Sequence, residues 1–172
     1  METSLTLSIG GLPPLSARGC TQELKPKPQG FFKRTLNGDL IFVGNSSHKY
    51  ISTIKCSDSI PIATEGLQIG TPVLVGCIQP LCQKISISEE SSKSVTLERD
   101  VIVNSVQIFD AENRDCPDFT VDGRIVTIPN PPQYVGLFVS YYPILNMRVT
   151  SFVLTTDEWN MKSGWQLDLE EV

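Results

Sequence analysis

"TSFVLTTDEWNMKSGWQLDLEEV", Thr150–Val172, closes the chain with two apolar runs joined by a polar turn. Its last segment alternates without a break: Trp165, Leu167 and Leu169 against Gln166, Asp168 and Glu170. Successive side chains of a strand point to opposite faces, so this reads as a strand with one apolar and one wet face. The preceding run, "ILNMRVTSFVLTT", offers it a partner, but the apolar positions change parity, from Met147 and Val149 to Phe152 and Leu154. One extra residue accounts for the change, which predicts a β-bulge near Thr150 or Ser151. A terminal strand this regular is expected to be paired inside a sheet, so that trimming it unfolds the domain.

The same texture extends back through the chain. Runs of Val, Ile, Thr and Phe alternate with Gly, Pro, Asn and Asp, and no helical stripe longer than about ten residues competes with them. "SLTLSIGG" sets Leu5, Leu7 and Ile9 against Ser4, Thr6 and Ser8, and "KYISTIKCS" puts Tyr50, Ile54 and Cys56 on one face. "FFKRTLNGDLIFVG" predicts a hairpin, because Asn37-Gly38 suits a type I′ turn with φ > 0 at both central residues. "FTVDGRIVTI" carries a second hairpin signal at Asp122-Gly123. "TPVLVGCI" is apolar on both faces, as a covered central strand would be. "EESSK" and "PNPP" read as exposed loop and turn.

The expected fold class is therefore all-β, an antiparallel β-sandwich or barrel with a small inserted β module. Residues 1–98 and 143–172 form the main β domain of this reading, and 99–142, where the texture changes, form the inserted module. Within the main domain, residues 19–30 are expected to be an extended arm. Pro26 and Pro28 in "KPKPQG" fix φ and keep their predecessors out of the helical region.

Bulk properties restrict the function. The 172 residues carry a net charge of −5, which argues against a nucleic-acid binder. The basic stretch from Arg18 to Arg34, with Arg18, Lys25, Lys27, Lys33 and Arg34 against only Glu23, reads first as a solvated arm. The longest apolar stretch, Tyr134 to Leu145, is broken by Gly136, Ser140 and Pro143, short of the ~20 residues a membrane helix needs. "METSLTLSIGGLPP" lacks the basic start of a signal peptide. Five cysteines with no CxxC, and a single histidine, His48, suit neither a disulfide framework nor a zinc site. The cysteines read as reduced, small hydrophobes in a chain that folds in a cytosol.

Catalysis needs a nucleophile with a base, convergent carboxylates or metal ligands. His48 sits alone in the loop "GNSSHKY", and Asp157-Glu158 and Glu170-Glu171 are neighbours whose side chains diverge along a strand. No catalytic residue, cofactor or metal is assigned, and no enzyme activity is expected. Asn45-Ser46-Ser47 matches a glycosylation acceptor, and Pro131–Tyr134, "PPQY", a WW-domain ligand; both patterns are common by chance. What remains is surface. Phe31, Phe32 and Trp159 are candidate interface anchors, and Lys25 and Lys27, on the arm, are candidates to meet an acidic patch of a neighbouring subunit.

"KRTLNGDLIFVG", "HKYISTIKCSD", "GTPVLVGCI" and above all "YYPILNMRVTSFVLTTDEWNMKSGWQLDLEEV" resemble blocks of small structural proteins of tailed bacteriophages. The resemblance covers about residues 12–80 and 141–172, and the middle is similar to β modules of phage tail and fibre proteins. It implies a virion component, folded in the host bacterial cytoplasm, of the tail, baseplate hub or neck. Partners would be copies of itself, in a homo-oligomeric ring or array, and other virion proteins, with neither nucleic acid nor membrane involved. A capsid decoration protein and a carbohydrate- or receptor-binding β-sandwich are the alternatives.

Overall fold

The computed structural model describes residues 2–45, 48–85, 93–116, 118–129 and 136–172. The "PPQY" stretch, Ser46 and Ser47 of the glycosylation pattern, and most of "EESSK" and "PNPP" lie outside them. The described residues are all-β, with no helix among them. In chain order the first strands are β1 (Thr6–Leu7), β2 (Thr21–Pro26), β3 (Gln29–Arg34), β4 (Leu40–Asn45) and β5 (Tyr50–Asp58). Then come β6 (Pro72–Gly76), β7 (Leu81–Ile85), β8 (Lys93–Thr96), β9 (Asp100–Val101) and β10 (Gln107–Asp110). The series closes with β11 (Thr120–Asp122), β12 (Ile125–Ile128), β13 (Leu137–Tyr141), β14 (Pro143–Asp157) and β15 (Lys162–Glu171). The strand pairings among them are antiparallel.

The chain divides into two compact units. One comprises residues 1–3, 9–73 and 146–172, and the other residues 4–8 and 74–145. In the first, β15 pairs with β14 on one side and β5 on the other, and β2 pairs with β5. The closing strand is thus central to its sheet. Trp165, Leu167 and Leu169 are buried with Ile54, Met147 and Val149. The expected bulge is present: register shifts between Val149 and Ser151, leaving Thr150 as the extra residue. That one residue lets Met147 and Val149 on one side of it, and Phe152 and Leu154 on the other, each keep their partners on β15.

The second unit has its own core. Two three-stranded sheets, β10-β13-β7 and β11-β12-β8, enclose Ile85, Ile108, Val126, Ile128, Leu137 and Val139 in one apolar cluster. This is a small β-sandwich. The unit contains residues 99–142 and also 74–98, which supply β7 and β8 to the two sheets, together with residues 4–8.

Three local readings are corrected. At Asn37-Gly38 only Gly38 has positive φ (88°). Gly38 N–H bonds Thr35 O, and Thr35 N–H bonds Asp39 O. The loop is a three-residue turn ending in a left-handed glycine, not type I′. At the second hairpin Asp122 pairs with Ile125, so the turn is Gly123-Arg124, with positive φ at its first residue alone. That pattern suits type II′. Finally, β6 is covered on one face only, since Leu74 is exposed.

Candidate interaction surface

The segment read as an extended arm, residues 19–30, is a paired strand over Thr21–Pro26. β2 runs antiparallel to β5 from Thr21↔Lys55 to Pro26↔Tyr50, and Lys27 N–H continues to Lys49 O. Beyond these prolines the two segments go on as β3 and β4, a two-stranded ribbon that among the described residues joins no other sheet. A lone two-stranded ribbon is marginal in water unless something covers it.

Its apolar side chains are not covered. Cross-strand pairing places Phe31 against Val43 and Phe32 against Phe42, with Ile41 and Leu40 following opposite Lys33 and Arg34. All six apolar residues are exposed, Phe32 to 67%. Because alternate residues face opposite ways, both faces of the ribbon are apolar. The Phe32 and Phe42 rings meet edge to face at 5.3 Å on one side. Lys33 Nζ lies 5.1 Å above the Phe31 ring on the other. At the base, Gly30 faces Gly44, and a Cβ on Gly44 would overlap the Gln29 carbonyl oxygen. The Phe42 ring covers Gly30, the aromatic shielding that glycine in a strand needs.

A second exposed apolar feature is the turn between β14 and β15. Trp159 is 94% and Met161 85% exposed, and Leu154 and Val153 on β14 are exposed beside them. The turn is rigidly built. The Asp157 carboxylate accepts from Trp159 N–H, Asn160 N–H and the Asn160 side-chain amide at 3.1, 3.1 and 2.6 Å. These bonds, the amide of Asn160 foremost, hold the Asp157 carboxyl below the usual carboxylate range. Met161 adopts a left-handed φ of 50°.

Strand register places these two features at opposite ends of one sheet. Ser163 lies opposite Asp58 at the turn end, whereas Glu170 lies opposite Ile51 at the ribbon end. The nine residues of β5 put about 30 Å between them.

Of the residues expected at an interface, Phe31, Phe32 and Trp159 are indeed exposed. The two lysines have partners within their own chain. Lys27 pairs with Glu170, and Lys25 Nζ lies 3.1 Å from Glu23. Glu170 is thereby engaged at home. Asp168, expected to be wet, accepts from Thr53 Oγ1 at 2.8 Å and from Gln166 Nε2. Phe42, Ile41, Leu154 and Met161 were not among the expected residues. The signal for Ile41 and Phe42 was present, since "LIFVG" has no polar residue to give the ribbon a wet face.

Asp58 is tied into the fold. Asp58, buried at the end of β5, takes Arg18 Nη2 at 2.9 Å, Arg18 Nε at 3.1 Å and the backbone N–H groups of Arg18 and Ser59. The guanidinium bonds and these N–H groups hold its carboxyl well below the carboxylate range. Burial pushes the Cys20 thiol up to about 12, helped by the Cys56 thiol, so Cys20 is a poor nucleophile at neutral pH. Among the described residues no group of three or more His, Cys, Asp or Glu side chains is placed to hold a metal ion. A groove of about 470 Å³ in the second unit is lined by Val101, Val103, Val106, Phe119 and Val121. No protein-family model and no curated protein matches the chain.

Proposed function

We propose that this chain is a structural subunit of a tailed-bacteriophage virion, in the tail or the head–tail attachment region, that works by docking to copies of itself and to other virion proteins. The observation that carries the docking role is the β3–β4 ribbon, apolar on both faces and, among the described residues, paired with no other sheet. Exposed apolar surface of this kind marks protein contact sites. The likeness of the terminal block to phage structural proteins supports the virion assignment. A sugar site would need an exposed aromatic beside convergent carboxylate and amide groups, and at "TTDEWN", where Trp159 offers the aromatic, both Asp157 oxygens are taken up by the turn itself.

Negative-stain images of the purified protein test the reading. A six- or twelve-fold ring supports a tail or neck position, and a trimer favours a capsid decoration protein. Immunogold labelling of intact phage particles produced with this chain is the second arm. Particles that never carry the label overturn the virion role.

A further inference from the structure

The chain presents two exposed apolar surfaces of opposite charge. The ribbon adds Lys33 and Arg34 to its aromatics, against Asp39 alone, on a protein of net charge −5. The β14–β15 turn sets Asp157 and Glu158 beside Trp159 and Met161, against Lys162 alone, which lies opposite Asp157. Since they lie about 30 Å apart at opposite ends of one sheet, a chain's own ribbon does not reach its own turn. The geometry points to a head-to-tail contact, in which the β3–β4 ribbon of one copy docks on the β14–β15 turn of the next.

This rests on the reading of the chain as an assembly subunit and assigns that assembly a polarity. The occupant follows from the charges. A basic, aromatic ribbon on an acidic body is repelled by another ribbon and attracted by another copy's acidic turn. The anchors also fit a contact centre, because both are large aromatics: Trp159 stands on a turn capped by Asp157, and Phe32 and Phe42 pack edge to face on the ribbon. A contact between two different surfaces leaves a free ribbon at one end and a free turn at the other. It therefore propagates to a ring if the rotation closes and to a filament if it does not.

Sedimentation velocity on the full chain tests this with Phe32→Asp on the ribbon and Trp159→Asp on the turn. The parent is expected to form species larger than a dimer, weakening as salt rises. Each variant alone is expected to lose association about tenfold or more. An equimolar mixture of the two is expected to stop at a heterodimer, because only one ribbon–turn contact survives. Circular dichroism checks that both exposed substitutions leave the fold intact. If either perturbs it, Glu158→Lys and the double change Lys33→Glu with Arg34→Glu make the same test. Each should weaken association, and all three changes in one chain should restore it. Undiminished assembly of Trp159→Asp, or a mixture that grows past two copies, overturns the head-to-tail contact and leaves the assembly role standing. A parent that stays monomeric at every concentration overturns both.

Discussion

The indole Nε1–H of Trp165, on the central strand β15, donates a 2.8 Å hydrogen bond to the carbonyl oxygen of Ser16, 149 residues earlier. Both residues are buried. The bond ties the turn before β2 to the sheet that β2 then enters, and it satisfies a carbonyl that no water reaches. Trp165→Phe keeps most of the apolar contact and leaves the Ser16 oxygen unpaired. The expected loss is about 1–3 kcal/mol, the cost of an orphaned buried polar group. Urea denaturation of Trp165→Phe beside Trp159→Phe checks this. The two variants should separate clearly, with the second matching the parent. Coincident curves would mean that the indole bond to Ser16 contributes nothing to stability.

Acid should act through Asp58. Its carboxyl titrates below its unfolded value of about 3.9, chiefly because Arg18 bonds the charged form. A group whose folded pKa is depressed contributes stability above the unfolded pKa and loses it as pH falls toward the folded one. Asp110 and Asp157 are shifted the same way, through Arg114 and through Asn160. The melting temperature is therefore expected to hold from pH 7 to about 5 and to fall below about pH 4. Asp58→Asn should melt lower than the parent at pH 7 and lose less on acidification. Parallel melting profiles for the two across this range would rule Asp58 out as a source of the acid sensitivity.

How much of the fold was legible in the sequence depended on the range of each signal. Period-two alternation is local, so the inner face of β15 and the bulge at Thr150 could be read directly. Turn chemistry is local too, yet Asn37-Gly38 suits more than one hairpin loop. The strand register that chose among them depends on which residues pair, Arg34 with Leu40. Burial of β6 depends on what packs over it, and nothing near Leu74 in the sequence encodes the solvent on that face. Side-chain ion pairs were the least legible. Lys27 and Glu170 lie 143 residues apart, and only the strand order β15-β5-β2 brings them together. The exposed aromatics were legible as types, but their placement at opposite ends of one sheet required the antiparallel register of β15 on β5.

The two faces of β15 should respond differently to truncation, though less starkly than alternation alone predicts. Leu167 is fully buried between β14 and β5, and Leu167→Ala is expected to cost about 2–5 kcal/mol. Asp168→Ala removes the acceptor for Thr53 Oγ1 and Gln166 Nε2 on a half-buried face. Hydrogen bonds to a charged group contribute more than neutral ones, so about 1–2 kcal/mol is expected there. Chemical denaturation of the two variants gives the order. An Asp168→Ala variant as stable as the parent would make that face a merely solvated one.

The ribbon should be dispensable for folding and required for association. Among the described residues no buried apolar side chain lies between Gln29 and Gly44, and the ribbon's strands pair only with each other. Its removal takes no side chain out of the core, and β2 and β5 keep their own register up to Pro26↔Tyr50. Replacing residues 29–47 with a short Gly-Asn turn should therefore leave the melting temperature within about 2 °C of the parent. That corresponds to about 0.5–1 kcal/mol at most for a chain of this size. The denaturant slope should also hold, because it follows the surface exposed on unfolding and the ribbon buries little of it. Association should disappear in the same sample, and solubility should rise as the exposed apolar faces go. Gly44→Ala offers a finer version. A Cβ there overlaps the Gln29 carbonyl and forces the strands apart at the ribbon's base, which should weaken association while β5 and β15 stay paired. A ribbon-deleted chain that unfolds or aggregates would show that β3 and β4 support the sheet they leave.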